Sequence, residues 1–297
     1  GSGRCYHRCT RHMDSSPPAS SSSSGIDSNA LTSIRTDAHS SPTTLPAAVW
    51  VWSPPDPGPP DLLSGLLPRH GHLLITGETD VGKTTVALEI AQAVLTGQPL
   101  WGPGSPQAGT LVAEVAYIMG EHHESVLQGL WRRMAYGGQP AIRVHPPAAR
   151  KPLVARGMTI ERTRQTLRAW CAGAGLVIFD PLNAFAAGTD VENDSVQMRA
   201  CINAMEDVAD GAALLILGHM GKPYFDQQRQ RYAHRETYAS RGSSAIEDAV
   251  TACFYLTQTR TASVRHAYRL SRRKYKGPAP ESYTLKRDPV TNRHTLL

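Results

Sequence analysis

Hydrophobic positions gather into short, nearly unbroken runs, and between the runs they recur at helical spacing. The runs at 72–76, 110–119, 142–145, 175–180 and 212–217 are rich in Leu, Val, Ile, Ala and aromatic residues. Strands of this kind are apolar on both faces, as in a parallel sheet covered by helices on each side. The stretch after position 83 and those at 124–136, 159–172 and 195–209 instead place apolar residues three and four apart, which predicts helices. A short helix at 244–248 precedes three late strands, 251–258, 267–273 and 281–287. These follow one another through short turns, so the sheet should end in antiparallel pairs. The pattern predicts an α/β fold: a mostly parallel sheet with helices on both faces and antiparallel strands at the C-terminal end.

The first 46 residues break this pattern. They are rich in Ser and Pro and poor in apolar residues, so they cannot bury enough surface to offset the entropy of ordering. Residues 1–46 read as a disordered tail, whose opening Gly1-Ser2-Gly3 resembles a cloning scar, and 47–297 as one domain. Cys5, His7, Cys9 and His12 lack the paired spacing of a zinc site, and the tail reading is preferred. Trp50-Val51-Trp52 and the proline-rich segment 54–60 form the lead-in to the domain.

Composition narrows the setting. A hydrophobic share of 40% supports a sizeable core. No apolar run is long enough to span a membrane, and no apolar signal segment opens the chain. The five cysteines form no disulfide framework, so a cytoplasmic location without a membrane partner is expected. Charge is uneven: residues 222–297 carry 15 Lys/Arg against 6 Asp/Glu, which suggests a polyanionic partner, nucleic acid first.

The most specific chemistry lies at 77–85: Gly77, Glu78, Thr79, Asp80, Val81, Gly82, Lys83, Thr84 and Thr85. Gly77, four residues, then Gly82-Lys83-Thr84 match the phosphate-binding loop, here set between a strand and a helix as that motif requires. Backbone N–H groups would cradle the phosphates of ATP at the helix N-terminus, and Lys83 would reach the β- and γ-phosphates. The Thr84 hydroxyl would ligate Mg²⁺. The run Leu176-Val177-Ile178-Phe179-Asp180 has the Walker B form, so Asp180 is expected to face the loop from a strand end and complete the Mg²⁺ shell. No second acid follows Asp180. Glu121, just past another strand, is the natural candidate to polarise the attacking water, with helix capping as its structural alternative. His122 and His123 lack metal-ligand spacing, and no metal is assigned to them.

The series continues with strand-His219-x-x-Lys222, then Arg241-Gly242-Ser243-Ser244-Ala245, then Arg273-Lys274-Tyr275-Lys276-Gly277-Pro278. Taken together, these motifs resemble the RecA-like P-loop ATPases of the plasmid RepA hexameric helicase family over about residues 58–297. The resemblance implies a RecA-type core, a hexameric ring of identical chains, and ATP hydrolysis at subunit interfaces coupled to movement on single-stranded DNA. It also makes a replication initiator or primase a candidate partner. Glu121 matches the family's catalytic glutamate, and His219 a histidine thought to sense the γ-phosphate. The preceding family histidine is Gly218 here, and Asp80 stands where a small residue is usual. That carboxylate would either repel a triphosphate or turn to solvent.

Arg241 and Arg273 match the family's cations, expected to act across the subunit interface, with Lys274 and Lys276 as near substitutes. Two loops should line the ring's hole. The segment 186–194 is acidic, with Asp190, Glu192 and Asn193. The segment 221–240 reads as an irregular loop offering Lys222, Arg229, Arg231 and Arg235 to phosphates, and Tyr224, Phe225, Tyr232 and Tyr238 for stacking on bases. Three functions stand at this point: a helicase or translocase, a recombination or repair ATPase, and a nucleotide switch with weak hydrolysis.

Overall fold

The computed structural model describes residues 61–121, 124–136, 141–145, 152–188, 194–219, 224–226, 231–233, 244–261, 264–275 and 279–297. Every described residue belongs to one compact unit, Pro54–Leu297. The expected tail and its boundary at 46 lie outside the described residues.

The element order is β1 (His72–Gly77), α1 (Lys83–Thr96), β2 (Val115–Met119), α2 (Glu124–Arg133), β3 (Ile142–His145), β4 (Val154–Ala155), β5 (Met158–Thr159) and α3 (Glu161–Cys171). There follow β6 (Leu176–Asp180), a 3₁₀ turn (Leu182–Phe185), β7 (Ala186–Ala187), α4 (Ser195–Ala209), β8 (Ala213–His219), β9 (Tyr224–Asp226) and β10 (Arg231–Ala233). The chain closes with α5 (Ser244–Ala249), β11 (Ala252–Thr261), β12 (Val264–Lys274), β13 (Ser282–Arg287) and β14 (His294–Leu296).

A nine-stranded sheet runs in the order β14-β13-β12-β11-β1-β8-β6-β2-β3. The strands from β11 to β3 are parallel, and β12, β13 and β14 add antiparallel pairs on the β11 side. The expected α/β architecture, helices on both faces and antiparallel C-terminal strands included, is the observed one. Alternation sorts the apolar runs into two cores. Leu73, Ile75, Leu215, Leu217 and Ile178 pack with α1, α2 and the segment containing Leu62 to Leu67. Leu74, Leu214, Ile216, Val177 and Phe179 face the other way, onto α3, α4 and α5. Both faces are covered, which is why these runs are apolar at successive positions.

Several boundaries differ from the sequence reading. The strand expected at 110–119 begins only at Val115, and the helix expected from 159 begins at Glu161. Ahead of it β4 and β5 form a hairpin through Arg156 and Gly157, both at positive φ (51° and 74°). That geometry suits a two-residue primed turn. Arg at the first turn position is not the Asn or Asp that would have announced it. The segment 221–240 is not irregular throughout: β9 and β10 pair within it, Phe225 opposite Tyr232. The sequence reading also misses β7, inside the expected acidic loop, and β14.

Candidate functional site

Spatial order explains how distant segments meet. β1, β8, β6 and β2 are consecutive neighbours, so the residues at their C-terminal ends share one edge. Gly77 lies opposite His219, and Met119 opposite Asp180, two positions before Glu121. Ligands of open α/β sheets bind outside this edge.

The phosphate-binding loop bridges β1 and α1. An added Cβ at Gly77 would stand 2.6 Å from the Leu256 carbonyl oxygen and 2.8 Å from Val81 Cγ1, so no other residue fits there without a shift. Gly82 takes a left-handed φ of 100° as the N-cap of α1 and offers no side-chain cap. By contrast, Asp194 caps α4 by accepting from the Val196 and Gln197 backbone N–H groups. The first N–H groups of α1 and the positive end of its dipole therefore remain available to an anion. Lys83 is buried, and its ammonium donates to the carbonyls of Gly77 (3.1 Å) and Glu78 (2.8 Å). Burial pulls its pKa below the usual lysine value, while the charges of Asp180, Asp80, Glu121 and Glu78 act to raise it. Glu78, Thr79 and Asp80 are exposed, and Asp80 holds a left-handed φ of 62°. Its carboxylate thus meets solvent, yet its charge still reaches Lys83.

Across the loop, Thr84 donates its hydroxyl to Asp180 Oδ2 at 2.9 Å. A hydroxyl and a carboxylate form a hard oxygen donor set, which fits Mg²⁺. Tyr117, which the sequence reading did not single out, donates to the same Oδ2 at 2.7 Å. Burial first, then the Asp180 charge, push the Tyr117 phenol well above its ordinary pKa, so it stays protonated and remains a donor.

Glu121 follows Gly120, where an added Cβ would stand 2.3 Å from Ala184 Cβ and 3.2 Å from the Asp180 carbonyl. The Gly120 N–H donates to that carbonyl at 2.6 Å. This close approach of the β2 and β6 ends delivers Glu121 to the edge, where Oε2 lies 3.9 Å from His219 Nε2. Gly218 pairs with Thr76, and a Cβ on it would meet Thr76 Cγ2 at 3.0 Å. A histidine there would have to displace Thr76.

The remaining cations lie elsewhere. Arg273 is exposed, with its guanidinium 4.9 Å over the Tyr255 ring. It lies near Cys253 and Phe254, opposite Leu74 and Ile75, two strands from β1 and short of the P-loop edge. Lys274 is committed to its own chain, donating to the Glu247 (3.0 Å) and Asp248 (2.9 Å) carbonyls. Arg287 stands closer to the loop than either: its Nη1 would be 3.2 Å from a Cβ on Gly82. Arg231 belongs to β10. Lys222, Arg229, Arg235, Arg241 and Lys276 lie outside the described residues, as do Asp190, Glu192, Asn193 and Tyr238. Among the described residues no His, Cys, Asp and Glu group could hold a further metal, and no helix is long and apolar enough to cross a membrane.

The AAA domain family matches residues 40–224, which carry the loop, Glu121, Asp180 and His219. The chain belongs to this AAA-domain family. Its AAA domain is a RecA-like, ATP-binding ATPase core. Among solved structures it is similar to an ATPase domain, at 15% identity and a TM-score of 0.51, over 77% of this chain and 85% of that one. It is also similar to the RadB recombinase, at 12% identity and a TM-score of 0.50, over 79% and 93%. At these identities the likeness is one of fold. No curated protein matches the sequence.

Proposed function

We propose that this AAA domain is the motor of a ring-forming ATPase that moves on single-stranded DNA, serving replication of a plasmid or other mobile element as RepA-type helicases do. The observation that carries the reading is the meeting of Lys83, Thr84, Asp180, Glu121 and His219 at one sheet edge. Residues 77–85 and Lys83 bind and orient the triphosphate of ATP. Thr84 and Asp180 would hold Mg²⁺, which supplies charge neutralisation on the phosphates when bound. Glu121 accepts a proton from, and so polarises, the attacking water, and His219 beside it reports on the γ-phosphate. Arg273 and Arg241 serve the site of a neighbouring subunit, a role supported for Arg273 by its exposure and its place on β12, two strands from β1. Lys222, Arg229, Arg231 and Arg235 grip the DNA backbone.

The test is ATP turnover with Mg²⁺, with and without single-stranded DNA, over a range of salt. The intact protein should be stimulated by DNA, and the stimulation should fade with salt at a log–log slope near −0.7 per phosphate contact, so about three contacts give a steep fall. Lys83→Ala should abolish turnover, and unchanged turnover in that variant would sink the nucleotide-site assignment. Gly218 favours a second reading, a nucleotide switch, because the usual histidine relay is incomplete. Tight ATP binding without DNA binding at low salt would select it.

A further inference from the structure

Asp180 is held from two sides. Tyr117 sits on β2 opposite Ile178, two register pairs short of the Met119–Asp180 pair, and its ring lies fully buried in the α1-side core. From there its hydroxyl reaches forward to Asp180 Oδ2, the oxygen that also accepts from Thr84. A carboxylate oxygen offers about two acceptor positions, and these two donors fill those of Oδ2. With Oδ2 so occupied, Oδ1 is the oxygen that would serve a metal or its water shell. One donor alone permits the carboxylate to swing about its Cβ–Cγ bond. A second donor from a different strand stops that rotation.

We propose that Tyr117 is a positioning residue for the metal–nucleotide site, pinning Oδ2 so that Oδ1 of Asp180 is aimed at the Mg²⁺ shell. The proposal rests on the ATPase reading and deepens it. Tyr117 touches neither the phosphates nor the metal and acts only through Asp180. The alternative is a ring that merely fills the core between β2 and α1, a task phenylalanine would perform equally well. The two roles separate in the Mg²⁺ dependence of nucleotide binding. Partners that orient a ligating carboxylate are typically worth 10–100-fold in metal affinity.

The experiment titrates Mg²⁺ into protein with a fluorescent, non-hydrolysable ATP analogue and compares the intact chain with Tyr117→Phe, Asp180→Asn and the double variant. Tyr117→Phe should bind the analogue normally in EDTA, melt close to the intact protein, and need on the order of 10-fold more Mg²⁺ for half-maximal tightening. In the Asp180→Asn background, Tyr117→Phe should shift the Mg²⁺ midpoint no further, because its path runs through that carboxylate. A midpoint within about twofold of the intact protein, or a full additional shift in the double variant, overturns the proposal. Should Tyr117→Phe melt early, the comparison between single and double variants still decides, since both carry the same loss of fit. An intact protein that binds no analogue at any Mg²⁺ level overturns the ATPase reading itself, which is a distinct result.

Discussion

Glu121 owes its position to its neighbour. Gly120 lets β2 come within hydrogen-bonding distance of the β6 end, and the next residue is thereby carried to the edge that Asp180 and His219 share. In the proposed mechanism this carboxylate polarises the attacking water without holding the nucleotide. Glu121→Gln preserves size and hydrogen bonding but removes the base, so turnover should fall by roughly 10²–10⁴-fold while ATP-analogue affinity stays near that of the intact protein. Single-turnover kinetics with a binding titration would check this, and an equal loss of binding would make Glu121 a metal or structural residue. The placing of the loop, Asp180 and Glu121 at one strand edge was legible from motif and strand context. Tyr117 was not, because a Tyr inside an apolar strand reads as core until the partner strand and register are known.

The helix that follows the loop is anchored at the scale of elements by a buried acid. Glu89 of α1 accepts the His294 backbone N–H at 2.6 Å and the Trp101 indole N–H at 2.9 Å, and lies 3.0 Å from His294 Nδ1. The Trp101 carbonyl in turn accepts from Leu296 N–H at 3.0 Å, and its ring meets Tyr283 edge-on. One carboxylate thus ties α1, the 97–109 segment and β14 together. Glu89→Ala strands at least two buried donors, each at a cost of roughly 1–3 kcal/mol, and should lower unfolding stability by about 3–5 kcal/mol in urea titrations. Glu89→Gln should lose less, since its amide oxygen still accepts. A loss below about 1 kcal/mol for the alanine variant would show that α1 and β14 hold without this link. The sequence presents Glu89 as an ordinary polar position in a helix and 97–109 as a proline/glycine break.

For the whole molecule, the placement of Arg273 matters most. Two strand spacings, about 10 Å, separate β12 from β1, and Arg273 also falls short of the loop along the strand direction. In the ring proposed above, Arg273 serves the site of another chain. Arg273→Ala should therefore reduce turnover on the order of 10³-fold, and so should Arg241→Ala. Mixing either with Lys83→Ala chains should restore part of the activity, because some interfaces then pair an intact loop with an intact arginine. Mixed oligomers without any rescue would place these arginines within their own subunit's chemistry.

Local chemistry determined what could be read directly. The loop needs Gly77 and Gly82 for backbone reasons, its motif calls for Lys83 and Thr84, and a sheet covered on both faces needs continuous apolar runs. These requirements hold within a few residues, so the residues themselves carry them. The order β1-β8-β6-β2, the entry of β14 beside β13, the β9–β10 pairing and the hold of Tyr117 on Asp180 are different in kind. Each depends on which of several similar apolar strands pair, and in what register. Packing across both faces of the sheet selects among those pairings, and no local stretch of sequence encodes that choice.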